Sequence, residues 1–138
     1  MSHPKTIIRS VKDRDFDTLQ SIAKSTFIAT YGAFNTSENM RDYLEKHFSK
    51  EVLIDQLNDP EVQFFFAEQN SDIVGYIKMN RGTAQTESSY PNALEIERIY
   101  ILSKFHGKGL GKLLLQKAVQ IAKNDLLDNV WLGYGIKI

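Results

Sequence analysis

Apolar positions recur along the chain with two different periods, and these periods predict its helices and strands. After Asp13 and Asp15, either of which can cap a helix, apolar residues recur at helical spacing at Phe16, Leu19, Ala23 and Phe27. Two further helices are predicted at Ser37–Phe48 and Lys50–Leu57, and Ser49 can cap the second of them.

Short runs of β-branched and aromatic residues predict five strands, at Thr6–Val11, Val62–Glu68, Ile73–Met79, Ala93–Leu102 and Val130–Leu132. The turn-forming residues Asn70-Ser71-Asp72 join the second and third strands in a hairpin. A fourth helix, before the last strand, extends to about Asn124. The order of strand, helices, three strands, helix and strand predicts an α/β fold with a mixed sheet, in a single domain of residues 1–138.

Composition excludes several classes of function. Seventeen basic and seventeen acidic residues give a formal net charge of zero, so no long-range field attracts nucleic acid. The absence of cysteine removes disulfides, thiolate metal sites and a cysteine nucleophile, and the three histidines lack the spacing of a metal site. The N-terminus opens no apolar run that suits a signal peptide or a membrane helix. We therefore expect a cytoplasmic protein with neither a nucleic-acid nor a membrane partner.

The strongest chemical signal is a run with glycine at every second position, between Phe105 and Lys112. Its three glycines allow close approach of the backbone to a ligand, and a helix that begins there directs free N–H groups and its positive dipole end at an anion. A diphosphate suits such a loop, and Lys108 and Lys112 add charge at its rim. The alternative is a plain entry turn, since one helix face is core in either interpretation, at Leu110, Leu114, Ala118 and Ile121.

Two other glycine-rich phosphate loops do not fit these residues. The pattern Gly107-x-Gly109-x-Gly111 lacks the extra residue of G-x-G-x-x-G and stands late in the chain, which argues against a dinucleotide-binding fold. The phosphate loop of nucleoside triphosphatases needs a hydroxyl after its Gly-Lys pair, but Leu113 follows Gly111-Lys112.

The loop His106-Gly107-Lys108-Gly109-Leu110-Gly111 resembles the signature Arg/Gln-x-x-Gly-x-Gly/Ala of the GNAT superfamily, the acetyl-CoA-dependent N-acetyltransferases, with histidine in the first place. The resemblance extends to Leu94–Ile101, Leu113–Leu115, Val74-Gly75-Tyr76 and Val130–Gly133. It implies a GNAT-like fold, and the first helices are similar to those of the PaiA-type spermidine/spermine acetyltransferase branch.

The resemblance implies acetyl-CoA as cosubstrate and backbone recognition of it. The pantetheine arm would pair with the strand that precedes the loop, at Ile99, Tyr100 and Ile101. The pyrophosphate would lie against His106, Gly107, Lys108, Gly109, Leu110, Gly111 and Lys112.

Glu97 is the candidate general base, acting directly or through a water, because a carboxylate on this strand lies near the thioester in many family members. A free amine with a pKa near ~10 must lose a proton before it attacks. Glu95 lies on the same strand face two residues away. The alternative is that Glu97 only pairs with Arg98 or solvent. Without cysteine, direct transfer to the amine is favoured over an acyl-enzyme.

In this family the first helices build most of the acceptor site. Three carboxylates at i, i+4 and i+7 on one helix face suit a cationic polyamine such as spermidine or spermine. The predicted substrate contacts are Tyr31, Glu38 and Asp42, with Glu45 next on the same face. The alternative is a solvated helix exterior balanced by Arg41 and Lys46.

Family members continue after Trp-Leu-Gly with a helix, whose tyrosine protonates the departing thiolate, and a closing strand pair, whereas this sequence ends at Ile138. We therefore expect a C-terminally incomplete fold in which Tyr134 has no assigned role. A homodimer that covers the last strand is also expected. Two functions stay open: N-acetyltransfer to a small-molecule amine, and a catalytically impaired acetyl-CoA-binding module that self-associates.

Overall fold

Five strands form one sheet, and their order across the sheet is also their order along the chain. The structure is a computed structural model that describes residues 5–87 and 90–133. Its strands are β1 Thr6–Ser10, β2 Val62–Gln69, β3 Asp72–Arg81, β4 Ala93–Ile101 and β5 Asn129–Leu132. Its helices are α1 Phe16–Tyr31, α2 Ser37–Phe48, α3 Lys50–Asn58 and α4 Leu110–Asn124.

Strand direction changes once in the sheet. β1 to β4 pair antiparallel, whereas β5 pairs parallel to β4, as a crossover through α4 requires. The β2–β3 hairpin turns at Asn70 and Ser71, whose φ angles of 49° and 70° are positive. Asparagine and serine are typical of turns because their short polar side chains bond the local backbone.

The core of the sheet unit lies between α4 and one face of the sheet. Leu110, Leu114, Ala118 and Ala122 recur every four residues on α4 and are buried. They belong to one apolar cluster with strand residues that include Ile77, Met79, Leu94, Ile96 and Ile99. Burying one such aliphatic side chain contributes roughly 1.5–3 kcal/mol, so this cluster holds α4 and its N-terminal loop on the sheet.

The helices α1 to α3 form the second compact unit, Val11–Asp59. The Thr36 hydroxyl caps α2 by accepting from Asn39 N at 3.1 Å, and the Ser49 hydroxyl caps α3 by accepting from Val52 N at 3.3 Å. The Phe27 ring stacks on Tyr43, with their centroids 4.3 Å apart. Side-chain caps and aromatic packing thus define this unit.

The predicted elements are confirmed, with bounds that differ by at most two residues. The predicted cap of the first helix is wrong in one respect. Asp15 occupies the N-cap position of α1, but its carboxylate accepts from Lys12 N at 2.8 Å instead of capping α1. Residues Asp13–Asp15 form a short 3-10 turn, and this turn directs the carboxylate backwards.

Tyr134, which has no assigned role in the sequence analysis, lies outside the described residues. Among the residues that are described, no helix has the length and apolar character needed to cross a membrane.

Candidate active site

The loop between β4 and α4 has a backbone that favours glycine. Gly107 and Gly109 have φ angles of +79° and +76°, in the left-handed region where other residues are strained. Gly109 is the N-cap of α4, and no side chain of the described residues caps this helix there. A Cβ built on Gly107, Gly109 or Gly111 would meet no atom within 4 Å. The start of α4 is therefore uncapped by side chains and bordered by open space, as a phosphate site requires.

The predicted cofactor residues come together here, but several contribute only their backbone. Ile99 and Leu110 are buried in the core of the sheet unit. His106 Nε2–H donates to the Ile101 carbonyl at 2.6 Å, which fastens the loop to the end of β4. Thus the histidine at the Arg/Gln position of the loop signature stabilises the loop through a hydrogen bond to the end of β4.

Three lysines border the same loop. Lys108 Nζ lies 5.6 Å from the centroid of the Phe105 ring, at cation–π distance, and Lys104 Nζ lies 5.3 Å from it. The Lys112 side chain is exposed on the first turn of α4. These lysines place positive charge beside the uncapped helix start, where it favours an anion.

β4 has one edge that pairs along only half of its length. Its parallel pairing with β5 runs from Ala93 to Ile96, and Gly133 N then donates to the Ile96 carbonyl at 2.8 Å. From Arg98 to Ile101, β4 pairs only with β3 among the described residues. The edge predicted to face the pantetheine arm thus begins where the described pairing of β4 with β5 ends.

Glu97 is the extra residue of a β-bulge. Lys78 opposes Arg98 and Met79 opposes Ile96, so Glu97 has no counterpart on β3. The bulge also changes which side chains of β4 face the core. Before it these are the even-numbered residues Leu94 and Ile96, and after it the odd-numbered residues Ile99 and Ile101. Bulges re-aim side chains and are common beside active sites.

The Glu97 side chain is 20% exposed and lies among cations and amide donors. Its Oε1 accepts from Lys78 Nζ at 2.9 Å and from Asn80 Nδ2 at 2.8 Å, while its Oε2 lies 3.3 Å from an Arg98 guanidinium nitrogen. Burial by itself raises the pKa of Glu97, but Lys78, Arg98 and the hydrogen bonds outweigh it and lower the pKa below its ordinary value. Glu97 is therefore a carboxylate at neutral pH.

Lys78 is the charged partner of Glu97 on β3, and its side chain is only 5% exposed. Burial lowers the pKa of Lys78, and this effect exceeds the opposing attraction of Glu97. A buried ammonium of this kind is costly unless it is paired, so Lys78 and Glu97 depend on each other.

The pH dependence of stability follows from the lowered pKa of Glu97. The carboxylate stabilises the folded state above the unfolded pKa of 4.5, and this contribution is lost as the pH falls through the lower folded-state pKa. We expect the midpoint of thermal unfolding to fall on acidification below about pH 4.5. Glu97→Gln should show a smaller fall over that interval, and an equal fall in both proteins would contradict this assignment.

Three polar residues of this site were missed from the sequence, namely Lys78, Asn80 and Thr86. Lys78 and Asn80 alternate with the core residues Ile77 and Met79 on β3, which is typical of a strand with one solvated face. Both are instead buried, at 4% and 1% exposure. The sequence indicated them only through their position on the strand next to Glu95 and Glu97. On that strand, Lys78 can share one sheet face with the two acidic residues.

The predicted acceptor residues lie in the helical unit. Glu38, Asp42 and Glu45 are exposed on α2, on one face as their spacing predicts. Tyr31 is partly buried at the end of α1, and its ring centroid lies 4.8 Å from that of Phe27. In the part of the chain that the structure describes, no three acidic, histidine or cysteine residues cluster as metal ligands would.

The sequence comparisons identify one family. Residues 22–134 match the model of the acetyltransferase (GNAT) family. An uncharacterised N-acetyltransferase encoded in the pepI 3' region of Lactobacillus delbrueckii subsp. lactis is 34% identical over 126 residues, which cover 91% of this chain and 73% of that protein.

Two of the similar proteins come from Thermoplasma acidophilum. A spermidine N(1)-acetyltransferase of Thermoplasma acidophilum is 25% identical over 120 residues, covering 84% of this chain and 70% of that protein. The crystal structure of the PaiA N-acetyltransferase from Thermoplasma acidophilum, in complex with coenzyme A, superposes with a TM-score of 0.76. It is 24% identical and covers 89% of this chain and 75% of that one, so it supports the fold alone.

The strand β4 with its bulge, the uncapped glycine loop and the family match together define an acetyltransferase. The chain belongs to the acetyltransferase (GNAT) family, and its α/β fold is the fold of that family. Within it, the protein is an acetyl-CoA-dependent N-acetyltransferase.

Proposed function

We propose that the protein transfers the acetyl group of acetyl-CoA directly to a primary amine of a polyamine such as spermidine or spermine. The observation that carries this proposal is the left-handed glycine entry to α4, which no side chain of the described residues caps, next to the edge of β4 that β5 pairs from Ala93 to Ile96. Bound acetyl-CoA supplies the thioester carbonyl that the amine attacks. The chain's own residues would bind acetyl-CoA, orient the amine and remove a proton from it.

The loop from His106 to Lys112 would hold the pyrophosphate through backbone N–H groups. Each amide-to-phosphate bond is charge-assisted and contributes about 1.5–3 kcal/mol. The three glycines fit this group, since a Cβ on any of them would enter the open space beside the helix start. The backbone of Ile99, Tyr100 and Ile101 would pair with the pantetheine arm, and an N–H of this strand would stabilise the oxyanion.

Glu97 would serve as the general base, directly or through a water. Its carboxylate is ionised at neutral pH, and the bulge at its position turns it away from the regular ladder. Because its pKa is lowered, its strength as a base depends on its position beside the amine more than on its proton affinity. No cysteine is present to carry an acyl group, which supports direct transfer.

The polyamine assignment draws on the acidic face of α2 and on the spermidine acetyltransferase relative. Glu38, Asp42 and Glu45 are exposed together, and each can attract one charge of a polycation. Tyr31 at the end of α1 would add an aromatic contact for the same acceptor. Arg41 and Lys46 are exposed on the same helix, and their positive charges oppose the attraction of the three carboxylates for a polycation.

A coupled assay of thiol release tests the acceptor. We expect kcat/KM for spermidine to exceed that for a simple amino acid by at least about tenfold. In the variant Glu38→Gln/Asp42→Asn, KM for spermidine should rise about fivefold, because two exposed charge contacts contribute ~1 kcal/mol together. KM for acetyl-CoA should not change.

Asp17→Asn is the matched control, since Asp17 is an exposed carboxylate on α1 outside the proposed acceptor face. It should leave KM for spermidine unchanged. Equal inactivity on every amine, together with thermal stabilisation by acetyl-CoA, would favour the acetyl-CoA-binding module instead.

A further inference from the structure

Glu95 is a carboxylate inside the protein, with an exposed fraction of 0%. Its Oε1 accepts from Thr86 N at 2.8 Å and from Asn80 Nδ2 at 3.1 Å, and its Oε2 accepts from the Thr86 hydroxyl. A Cβ on Gly133 would lie 2.7 Å from Glu95 Oε2 and 3.2 Å from the Ile96 carbonyl oxygen, so a larger residue there would displace the Glu95 side chain. With three donors and no free space, Glu95 is fixed in position.

Asn80 connects this fixed carboxylate to Glu97. Its amide nitrogen donates one N–H to Glu95 Oε1 and the other to Glu97 Oε1, which uses both of its donors. The opposite orientation of the amide would place its oxygen against two carboxylates, so the electrostatics determine which way it points. Asn80 Oδ1 is buried and has no hydrogen-bond partner among the described residues. Among the described residues, the two carboxylates are therefore the groups that orient the amide.

The two oxygens of Glu97 are consequently unequal. Oε1 takes both Lys78 Nζ and Asn80 Nδ2, whereas the described contact of Oε2 is the longer one to Arg98. The charged groups around Glu97 are Lys78 on β3 with Glu95 and Arg98 on β4. Asn80 is the neutral donor among them, and it separates the two carboxylates without adding a charge.

We propose that Asn80 is a positioning residue for acetyl transfer, which anchors Glu97 Oε1 to the fixed carboxylate of Glu95 and so leaves Glu97 Oε2 to accept the proton of the amine. This inference rests on the proposed role of Glu97 as base. Thr86 acts one step further away, because its two donors hold Glu95. The chain of bonds thus runs from the segment after β3 to the bulge of β4.

The test is the pH profile of kcat at saturating spermidine and acetyl-CoA, between pH 4 and pH 8, in Asn80→Asp. The substitution keeps the size of the side chain but replaces both donors by a third carboxylate. A lost donor and a like charge both favour the protonated form of Glu97. We expect the acid limb of the profile to move up by about one pH unit, with kcat about fivefold lower at the wild-type midpoint and KM for acetyl-CoA unchanged.

Asn92→Asp is the matched control, because Asn92 donates to the Leu126 carbonyl in an exposed loop. Its acid limb should coincide with that of the wild type. A structural role of Asn80 would lower kcat equally at every pH and leave the limb in place, and that result overturns the inference. If Asn80→Asp does not fold, Asn80→Ser, which keeps one neutral donor, should move the limb by a smaller amount, and an unmoved limb overturns the inference in the same way.

The variant Glu97→Gln separates this inference from the proposed function. A kcat equal to that of the wild type in Glu97→Gln would refute the role of Glu97 as general base. A strongly reduced kcat in Glu97→Gln, together with a wild-type acid limb in Asn80→Asp, would refute only the positioning role of Asn80.

Discussion

Glu97→Gln is expected to lower kcat for acetyl transfer about a hundredfold or more, because a positioned general base contributes roughly 10²–10⁴ to the rate. Glutamine has the same size as glutamate but cannot accept the proton of the amine. KM for acetyl-CoA should stay within about twofold of the wild type, since uniform binding is not affected. Initial rates at saturating spermidine, measured by thiol release, give both constants.

Two controls separate lost chemistry from lost structure. Glu68→Gln removes a carboxylate that pairs with Arg9 at 3.2 Å on β1 and β2, and it should retain full activity. Glu97→Gln leaves the buried Lys78 ammonium unpaired, which lowers stability. The double variant Lys78→Met/Glu97→Gln removes both charges, so it should regain thermal stability but not kcat. Recovery of kcat in that double variant would show that Glu97 acts only by pairing with Lys78.

Gly109→Ala is expected to abolish most of the thermal stabilisation that acetyl-CoA confers. Gly109 has a φ of +76°, and an alanine that keeps this conformation is strained by about 1–2 kcal/mol. An alanine that relaxes to negative φ turns the N–H groups of the loop away from the pyrophosphate. Recovering the binding conformation costs the relaxed alanine that strain, which weakens affinity by about five- to thirtyfold, and a titration of the unfolding midpoint against acetyl-CoA concentration can measure this loss.

Gly32→Ala provides the matched comparison, because Gly32 has a φ of −59° at the end of α1 and room for a methyl group 3.5 Å from Ile28 Cγ2. Acetyl-CoA should raise the unfolding midpoint of this variant as much as that of the wild type. If Gly109→Ala shows the same stabilisation as Gly32→Ala, the pyrophosphate does not lie against the start of α4.

The elements and the conformation of the glycine loop were predictable because their signals are local. The Thr36 and Ser49 caps, the hairpin turn and the glycine spacing each depend on residues within a few positions of one another. Left-handed backbone at Gly107 and Gly109 is likewise a property that glycine alone confers cheaply. The assignment of these elements therefore needed no tertiary contacts.

The environment of Glu97 was predicted only in part. Its pairing with Arg98 was one of the alternatives, since the two residues are adjacent in sequence. Its bonds to Lys78 and Asn80 join residues 19 and 17 positions apart, and they depend on the register of β3 against β4. The sequence carries one sign of the bulge, which is the break in the alternation of apolar residues between Ile96 and Ile99.

The glycine loop, the strand before it and the family resemblance that they carry were determined by the sequence itself, because close spacing along the chain already brings those residues together. Only the tertiary structure decided that Glu97 occupies a bulge, that Lys78 and Asn80 are buried against it, and that Glu95 is fixed by Thr86. Register, burial and the resulting pKa shifts arise from packing between strands, and one chain segment read alone does not contain them.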